Sequence, residues 1–181
     1  MLNLILDETR EKMDKTIESH KKDLATVRTG RANPNMLSSV MVDYWGMPTP
    51  INQTAGISVV EGRQLVIKPY DKNTLKDIER AIFEANLGLT PQNDGTLIRI
   101  VVPPLTEERR KEYVKKAKQI AEGSKVAIRN IRRAANDDLV DAELTEDEEK
   151  RGKERIQKLT DEYIKKIDAL TKEKEQELLT V

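Results

Sequence analysis

The sequence contains no cysteine, a single histidine and few aromatic residues, which fill only 3% of its 181 positions. Without cysteine the chain forms no disulfide, no cysteine-based zinc cluster and no thiol nucleophile. The one histidine, His20, cannot supply a metal cluster built from imidazoles, and its position at the edge of an apolar helix face indicates packing. These absences exclude several frequent classes of enzyme and metalloprotein.

The sequence also lacks the short motifs that accompany catalysis. It has no P-loop, no dinucleotide fingerprint and no glycine-flanked serine. Acidic pairs such as Asp137-Asp138 and Glu148-Glu149 stand in highly charged stretches, where solvation explains them. We therefore expect a binding or mechanical protein that is not an enzyme and needs no cofactor and no metal.

No stretch approaches eighteen consecutive apolar residues, and the opening MLNLIL is too short and too soon acidic for a signal peptide. We therefore expect a cytoplasmic protein without a membrane partner. The 32 basic and 32 acidic residues balance, so an anionic partner has to be recognised by a local patch rather than by overall attraction. Charged residues at 35% indicate helices covered by ion pairs around an aliphatic core.

The longest continuous feature is a polar run without proline that follows Pro103-Pro104 and extends from Thr106 to Ala142. Its less polar positions recur every three or four residues, which predicts one amphipathic helix on the order of 55 Å long. Thr106 can cap its first turn, where Glu107 and Glu108 suit the positive end of the helix dipole. The apolar stripe needs partner helices, and it consists of Tyr113, Ala117, Ile120, Ser124, Ile128, Ile131, Ala135, Leu139 and Ala142.

Charge along this helix is sorted by position. Residues 107–133 contain ten Lys or Arg and four Glu, whereas residues 134–149 contain eight Asp or Glu and no Lys or Arg. One flank of the apolar stripe carries Lys111, Lys118, Lys125, Arg129 and Arg132, with Arg133 further out. A solvated face is the alternative interpretation for the lysines. Three arginines within five residues repel one another unless an anion binds them, and their planar, forked donors suit phosphate groups.

Two further amphipathic helices are predicted, over residues 2–28 and 146–178. The second starts at Thr145, which forms a capping box with Glu148. None of the three long helices can bury its apolar stripe alone, and a three-helix bundle covers all of them.

Residues 35–102 have the composition of a small β-rich module. The predicted strands are 37–45, 57–60, 64–69 and 96–102, separated by glycine and proline turns. One predicted helix, Thr74 to Asn86, stops at Gly88 and turns Leu75, Ile78, Ile82 and Phe83 inward. Core or near-core packing is the preferred explanation for the aromatic residues of this module, with base stacking as the alternative. They are Tyr44, Trp45, Tyr70 and Phe83.

The predicted fold class is therefore α+β, with a discontinuous three-helix bundle (residues 1–30 plus 105–181) and an inserted β/α/β domain (residues 31–104). Two crossings, Thr29-Gly30-Arg31 and Pro103-Pro104-Leu105, join the domains. Gly30 can adopt positive φ as a helix cap, and Pro34 prevents the helix from continuing. Because few contacts need to cross there, we expect a hinge.

Five motifs give the chain a resemblance to the bacterial ribosome recycling factor family, also called ribosome-releasing factors. They are RTGRANP at 28–34, YWGMPTPI at 44–51, NLGLTPQNDG at 86–95, PPLTEERRKE at 103–112 and VAIRNIRRAAN at 126–136. They follow the family's order and spacing, and the resemblance covers the whole chain. It implies an L-shaped α+β fold, often compared to tRNA, in which a long three-helix bundle bears a small inserted β/α/β domain.

The resemblance also implies a function and partners. Recycling factors act in the bacterial cytoplasm after translation termination and bind at the subunit interface of the ribosome. With elongation factor G, and the GTP that this partner hydrolyses, they separate the subunits and release the ribosome from mRNA. Their bundle contacts large-subunit ribosomal RNA, and their smaller domain meets elongation factor G. For this chain the expectation is a monomer that binds neither DNA nor a membrane.

By position, the resemblance assigns contacts with ribosomal RNA to Arg129, Arg132 and Arg133, and it matches Arg28, Gly30 and Arg31 to the loop near the hinge. We therefore also expect RNA contacts from Arg28 and Arg31. A further contact is expected from Lys125, which lies on the same helix flank as the three arginines. Two departures from the family stand nearby. Ala134 stands where many relatives carry an aspartate, and the connection around 137–145 is shorter and more acidic than in the familiar enterobacterial form. Both leave the arginines in place.

Two rival functional classes remain at this stage. A helical chaperone or scaffold would account for long charged helices, but not for the sorted arginines or the inserted module, and ribosome co-sedimentation separates the two interpretations. A phosphate-handling enzyme could use Arg129 and Arg132, but it would need a base or a metal site that the sequence does not show.

Overall fold

The computed structural model describes residues 1–180. The helices are α1 Leu2–Ala25, α2 Ile51–Thr54, α3 Leu75–Glu84, α4 Glu107–Asp141 and α5 Glu146–Leu179. The strands are β1 Met41–Tyr44, β2 Met47–Pro50, β3 Ala55–Val60, β4 Gln64–Pro69, β5 Pro91–Asn93 and β6 Ile98–Val101. The presence of long helices and a small sheet confirms the α+β class. The chain forms two compact units. The first combines Met1–Arg28 with the chain from Thr106 on, and the second is Thr29–Leu105.

The first unit is called the bundle here, because its helices α1, α4 and α5 pack against one another along their apolar stripes. Most of the predicted stripe of α4 is buried, including Ala117, Ile128 and Leu139. Ile5 clusters with Leu139 near one end of the bundle, whereas His20 bonds to Ser124 further along, so α4 runs antiparallel to α1. The three helices thus cover one another's apolar stripes and remove from water a surface that no single helix could bury.

Side-chain caps fix the starts of the two longest helices. The Thr106 hydroxyl accepts a hydrogen bond from the Arg109 amide at 3.2 Å, and the Thr145 hydroxyl accepts one from the Glu148 amide at 3.3 Å. Both bonds satisfy amides that have no partner within the helix. The cap predicted at Thr106 is confirmed, and at Thr145 the structure shows the threonine half of the predicted capping box. Between the two helices the chain reverses through Glu143, which adopts a left-handed conformation with φ 51°.

The first helix is shorter than predicted, because it ends at Ala25 and not at residue 28. The amides of Thr26 and Val27 bond to the carbonyls of Asp23 and Leu24, three residues back, which tightens the last turn. The Thr26 hydroxyl also donates to the Asp23 carbonyl at 2.6 Å. These bonds use up the carbonyls on which a further α-helical turn would depend.

The second unit, the insert, contains a four-stranded antiparallel sheet of order β3-β4-β6-β5 and a separate β1–β2 hairpin. Leu65 lies opposite Ile100 and Ile67 opposite Ile98, and all four are fully buried. Since side chains alternate along a strand, this register places one apolar face of the sheet in the core. Helix α3 packs against β1.

The sequence located the longer strands of the insert and missed the short elements. The predicted strand 64–69 is correct, whereas 57–60 extends back to Ala55 and 96–102 shrinks to Ile98–Val101. The predicted strand 37–45 is wrong in its first half, because the strand begins only at Met41. A 3-10 turn capped by the Asn33 side chain covers Pro34–Leu37, and Ser38 and Ser39 form a further turn. Strands β2 and β5 and helix α2 were not predicted, because they are three or four residues long and contain or adjoin proline.

The preferred explanation for the insert's aromatic residues is wrong for three of the four. Trp45 is 69% exposed, Tyr70 70% and Phe83 55%, while Tyr44 is half-buried. Trp45 occupies the β1–β2 turn with φ 55°, directly before Gly46 with φ 83°, and therefore does not belong to a strand. Phe83 follows the buried Ile82, and one further step of about 100° carries it off the inward face.

The end of α3 also differs from the prediction. The helix spans Leu75–Glu84 rather than 74–86, and Asn86 adopts the left-handed conformation with φ 52° before Gly88 is reached. Asparagine tolerates this conformation better than most residues. Among residues 1–180, no helix combines the length and apolarity that a membrane span requires.

Candidate nucleic-acid interface

Helix α4 presents the three predicted arginines on one side of its buried stripe. Arg129 and Arg133 are exposed, and Arg132 is half-buried. Because α4 is capped at Thr106 and buried along Ile128 and Ala135, the helix itself fixes the positions from which these side chains extend. The structure therefore brings Arg129, Arg132 and Arg133 onto one short segment, as the sequence predicts.

Arg132 lies against α5. Its Nη1 donates to Gln157 Oε1 at 3.0 Å, and Gln157 Nε2 in turn donates to Asp161 Oδ1 at 3.0 Å. Its Nε is buried and has no hydrogen-bond partner within residues 1–180. Leaving a buried donor unpaired costs about 1–3 kcal/mol. Because Gln157 holds its side chain against α5, Arg132 is restrained more than the exposed Arg129 and Arg133.

Lys125 differs from the arginines although it occupies the same flank. Its side chain is only 18% exposed, and its Nζ lies 2.6 Å from Asp168 Oδ1 of α5 and 3.8 Å from Glu122 Oε1. A lysine engaged by two carboxylates has less charge to offer an external anion. The structure assigns Lys125 a contact between α4 and α5, and its expected contact with RNA stays a prediction.

The remaining predicted RNA contacts lie elsewhere. Arg28 follows α1, eight residues beyond His20, which bonds to Ser124. The three arginines lie in the opposite direction from Ser124 along the antiparallel pair, so Arg28 is on the order of 20 Å from them. Arg31 is exposed and belongs to the insert. The predicted RNA-binding residues therefore do not form a single cluster within the bundle.

The crossings predicted as a hinge adjoin two fixed points of the insert. The Ala32 amide donates to the Gly62 carbonyl, and the Val102 amide donates to the Arg63 carbonyl, each at 2.8 Å. One turn between β3 and β4 thus holds both ends of the insert's folded part. Gly30 does not have the positive φ expected of a cap, and a Cβ placed there would lie 3.5 Å from the Leu105 amide nitrogen, an ordinary contact distance.

His20 forms a buried polar node that joins all three bundle helices. It is fully buried, its Nδ1 lies 2.7 Å from Ser124 Oγ and its Nε2 lies 3.1 Å from Thr171 Oγ1. The Thr171 hydroxyl donates to the Ile167 carbonyl, so its oxygen accepts the proton of Nε2. Burial lowers the pKa of His20, although the nearby Asp23 opposes the shift. The expected packing role is confirmed.

A second polar contact joins α1 to α5. The Tyr163 hydroxyl donates to Asp14 Oδ1, and the Lys166 ammonium lies 4.5 Å from the centre of the Tyr163 ring. Burial and then the hydrogen bond to Asp14 raise the pKa of Tyr163 to about 12. The phenol therefore remains a neutral donor at physiological pH. This contact stabilises the bundle and offers no general base.

Within residues 1–180, no three His, Asp or Glu side chains are placed to hold a metal ion. Ala134 and the acidic connection, which the sequence analysis singled out beside the arginines, lie in or next to α4. Ala134 is exposed beside Arg133, and α4 continues through the acidic stretch to Asp141. The residues that sequence reasoning missed are Gln157, Asp161 and Asp168, because pairing between α4 and α5 cannot be derived from either helix alone.

Known proteins resemble this chain in both sequence and fold. The sequence model of the family described as "Ribosome recycling factor" matches residues 20–179. A ribosome-recycling factor of Geobacillus sp. (strain WCH70) is 57% identical over 185 residues, with 100% of each chain covered. One of Bacillus subtilis (strain 168) is 56% identical over 181 residues, with 98% of each chain covered.

Two solved structures share the fold over nearly the whole chain. A solution structure of the ribosome recycling factor aligns with a TM-score of 0.82 and 42% identity, covering 99% of this chain and 98% of that one. The other describes models for the T. thermophilus ribosome recycling factor and the E. coli elongation factor G bound to the E. coli post-termination complex. It aligns with a TM-score of 0.67 and 47% identity, covering 99% of this chain and 100% of that one.

Proposed function

This chain belongs to the ribosome recycling factor family of non-enzymatic translation factors, and we propose that it acts in the cytoplasm on the ribosome after termination. It binds as a monomer at the subunit interface and, with elongation factor G and GTP, promotes separation of the subunits and release from mRNA. The similarity along the whole chain to a factor described in a post-termination complex with elongation factor G carries this proposal.

In this proposal, the bundle binds large-subunit ribosomal RNA through Arg129, Arg132 and Arg133. Two observations support it. The arginines lie close together on α4, beside a buried stripe that holds this part of the helix backbone in place. Guanidinium groups also form paired hydrogen bonds with phosphate that lysine cannot match. Arg28 and Arg31 would add contacts away from this segment. Because the chain has no net charge, binding depends on this local patch.

The insert would receive the load from elongation factor G and pass it to the bundle. Since Ala32 and Val102 are both held by the β3–β4 turn, the segments free to bend are 29–31 and 103–105. We assign the hinge to these six residues, Thr29, Gly30, Arg31, Pro103, Pro104 and Leu105. A hinge needs only a few residues that absorb a change in φ and ψ.

The direct test is the splitting of post-termination ribosomes. Purified complexes are incubated with elongation factor G and GTP, with and without this protein, and light scattering reports the loss of 70S particles. We expect subunit dissociation only when all three components are present, and none when GTP is replaced by a non-hydrolysable analogue. Dissociation that is equally fast without the protein would refute the proposed function.

A further inference from the structure

Arg132 differs from its two neighbours because a second helix holds it. Its Nη1 donates to Gln157 Oε1, and Gln157 Nε2 donates to Asp161 Oδ1, each at 3.0 Å. One amide therefore contacts the cation with its oxygen and the carboxylate with its nitrogen. Gln157 and Asp161 lie one turn apart on α5, so both groups extend from the same face of that helix.

Only one orientation of the Gln157 amide satisfies both neighbours. A guanidinium has donors only, and an ionised carboxylate has acceptors only. Rotating the amide by half a turn would put its NH₂ group against Arg132 and its oxygen against Asp161, and both hydrogen bonds would be lost. Asp161 therefore reinforces the orientation in which the amide oxygen faces Arg132.

The neutral amide also separates the arginine from the acid. A carboxylate at position 157 could form a charge-assisted pair with the guanidinium and would compete with any anionic ligand. The amide occupies a single N–H group of Arg132 and leaves other N–H groups of its terminal nitrogens for a ligand. It also restrains a long side chain before binding, which lowers the loss of rotamer freedom on binding.

We propose that Gln157, oriented by Asp161, is a positioning residue that holds the Arg132 guanidinium for a phosphate of ribosomal RNA without neutralising it. This inference rests on the proposed function, because it assigns a role within the same interface. It differs from a merely structural contact between α4 and α5, which would affect stability and leave the ribosome affinity of the folded Gln157→Met variant unchanged.

The test is a double-mutant cycle read out as ribosome affinity over a range of salt concentrations. Gln157→Glu and Gln157→Met are each made in the wild-type chain and in Arg132→Ala. Gln157→Glu should weaken binding about fivefold or more and lower the salt slope by about one unit, as if one phosphate contact were lost. Gln157→Met keeps the volume but not the hydrogen bonds, so it should weaken binding less and leave the slope unchanged.

In the Arg132→Ala background both Gln157 substitutions should change affinity by less than about twofold, because the group that they position is gone. Gln176→Glu is the matched control, since it adds the same charge at an exposed position of α5. It should behave like wild type. Thermal melting of each variant checks the fold, and Arg132→Met, which retains more of the apolar stem, replaces Arg132→Ala if that variant unfolds.

The outcomes separate the two proposals. Unchanged affinity in Arg132→Ala and in Arg132→Met would remove the proposed RNA contact of Arg132 and the positioning role with it. If loss of Arg132 weakens binding, but the Gln157 variants are silent or act equally in both backgrounds, the RNA contact stands and the positioning role is refuted. An equal effect of Gln176→Glu would reduce the result of Gln157→Glu to general repulsion.

Discussion

Replacing Gly152 by alanine should destabilise the bundle, although alanine forms helices better than glycine. Gly152 is a buried residue of α5. A Cβ at this position would lie 2.9 Å from Leu139 Cδ1 and 2.9 Å from Leu2 Cδ1, with Leu139 Cδ2 at 3.0 Å. Favourable contacts between carbon atoms need about 3.5–4.0 Å, so both leucines must move. Leu139 is fully buried and has little space in which to do so.

Two opposing effects set the magnitude. Exchanging glycine for alanine inside a helix stabilises it by about 1 kcal/mol. Forcing an extra methyl group into a packed core costs about 1–3 kcal/mol. Since the clashing atoms are terminal methyl groups, and Leu2 is only half-buried, we take a cost of about 2 kcal/mol. The expected net change is a loss of about 1 kcal/mol in the free energy of unfolding.

Gly123 provides the matched control, because it lies in α4 at an exposed position where an added Cβ would have no neighbouring atom within 4 Å. Gly123→Ala should therefore stabilise the bundle by about 0.5–1 kcal/mol. At about 4 °C per kcal/mol, the melting temperatures of the two variants should differ by roughly 6–8 °C, measured by circular dichroism at 222 nm. A Gly152→Ala variant as stable as Gly123→Ala would contradict the close approach of α5 to Leu2 and Leu139.

Three further predictions concern the bundle, the insert and the hinge. Burial lowers the pKa of His20 in the folded protein, so as the pH decreases the unfolded chain takes up the proton first. The free energy of unfolding should therefore be highest above about pH 6.5 and should fall as the pH decreases towards the pKa of His20 in the folded protein. Urea denaturation should show this fall in the wild type and not in His20→Asn, and since the chain has one histidine, an equal fall in both would refute the assignment. Replacing residues 29–105 by a short flexible linker should leave a cooperatively melting helical bundle, and an unfolded product would count against a bundle that folds without the insert. Lengthening both crossings with Gly-Ser residues should preserve ribosome binding but abolish splitting, because a slack joint cannot transmit load, and full splitting would remove the hinge mechanism.

The parts of the fold that the sequence predicted are those that depend on local chemistry. The capping threonines Thr106 and Thr145 and the periodic stripes needed no knowledge of partner helices. His20 was placed correctly because it lies beside an apolar stripe. Its partners Ser124 and Thr171 are more than a hundred residues away along the chain and could not be deduced.

The errors have a common physical origin in turn geometry and helix phase. Trp45 and Phe83 were expected to pack because they are large and apolar, yet Trp45 occupies a tight turn and Phe83 a helix position just past the inward face. The candidate interface shows the same limit. Sequence position identified Arg132, whereas the amide that holds it and the acid that pairs with Lys125 lie on another helix and depend on tertiary packing.

The most direct test of the account compares the ribosome affinity of the wild type and the Arg129→Ala, Arg132→Ala double variant as a function of salt concentration. If these arginines bind phosphates of ribosomal RNA, the variant should bind more weakly at low salt, with a slope of log affinity against log salt about 1.5 to 2 units shallower. Lys116→Ala, at an exposed position of the same helix, should match the wild type. Identical affinity and slope in the double variant would show that Arg129 and Arg132 bind no phosphate of ribosomal RNA and would contradict the proposed interface.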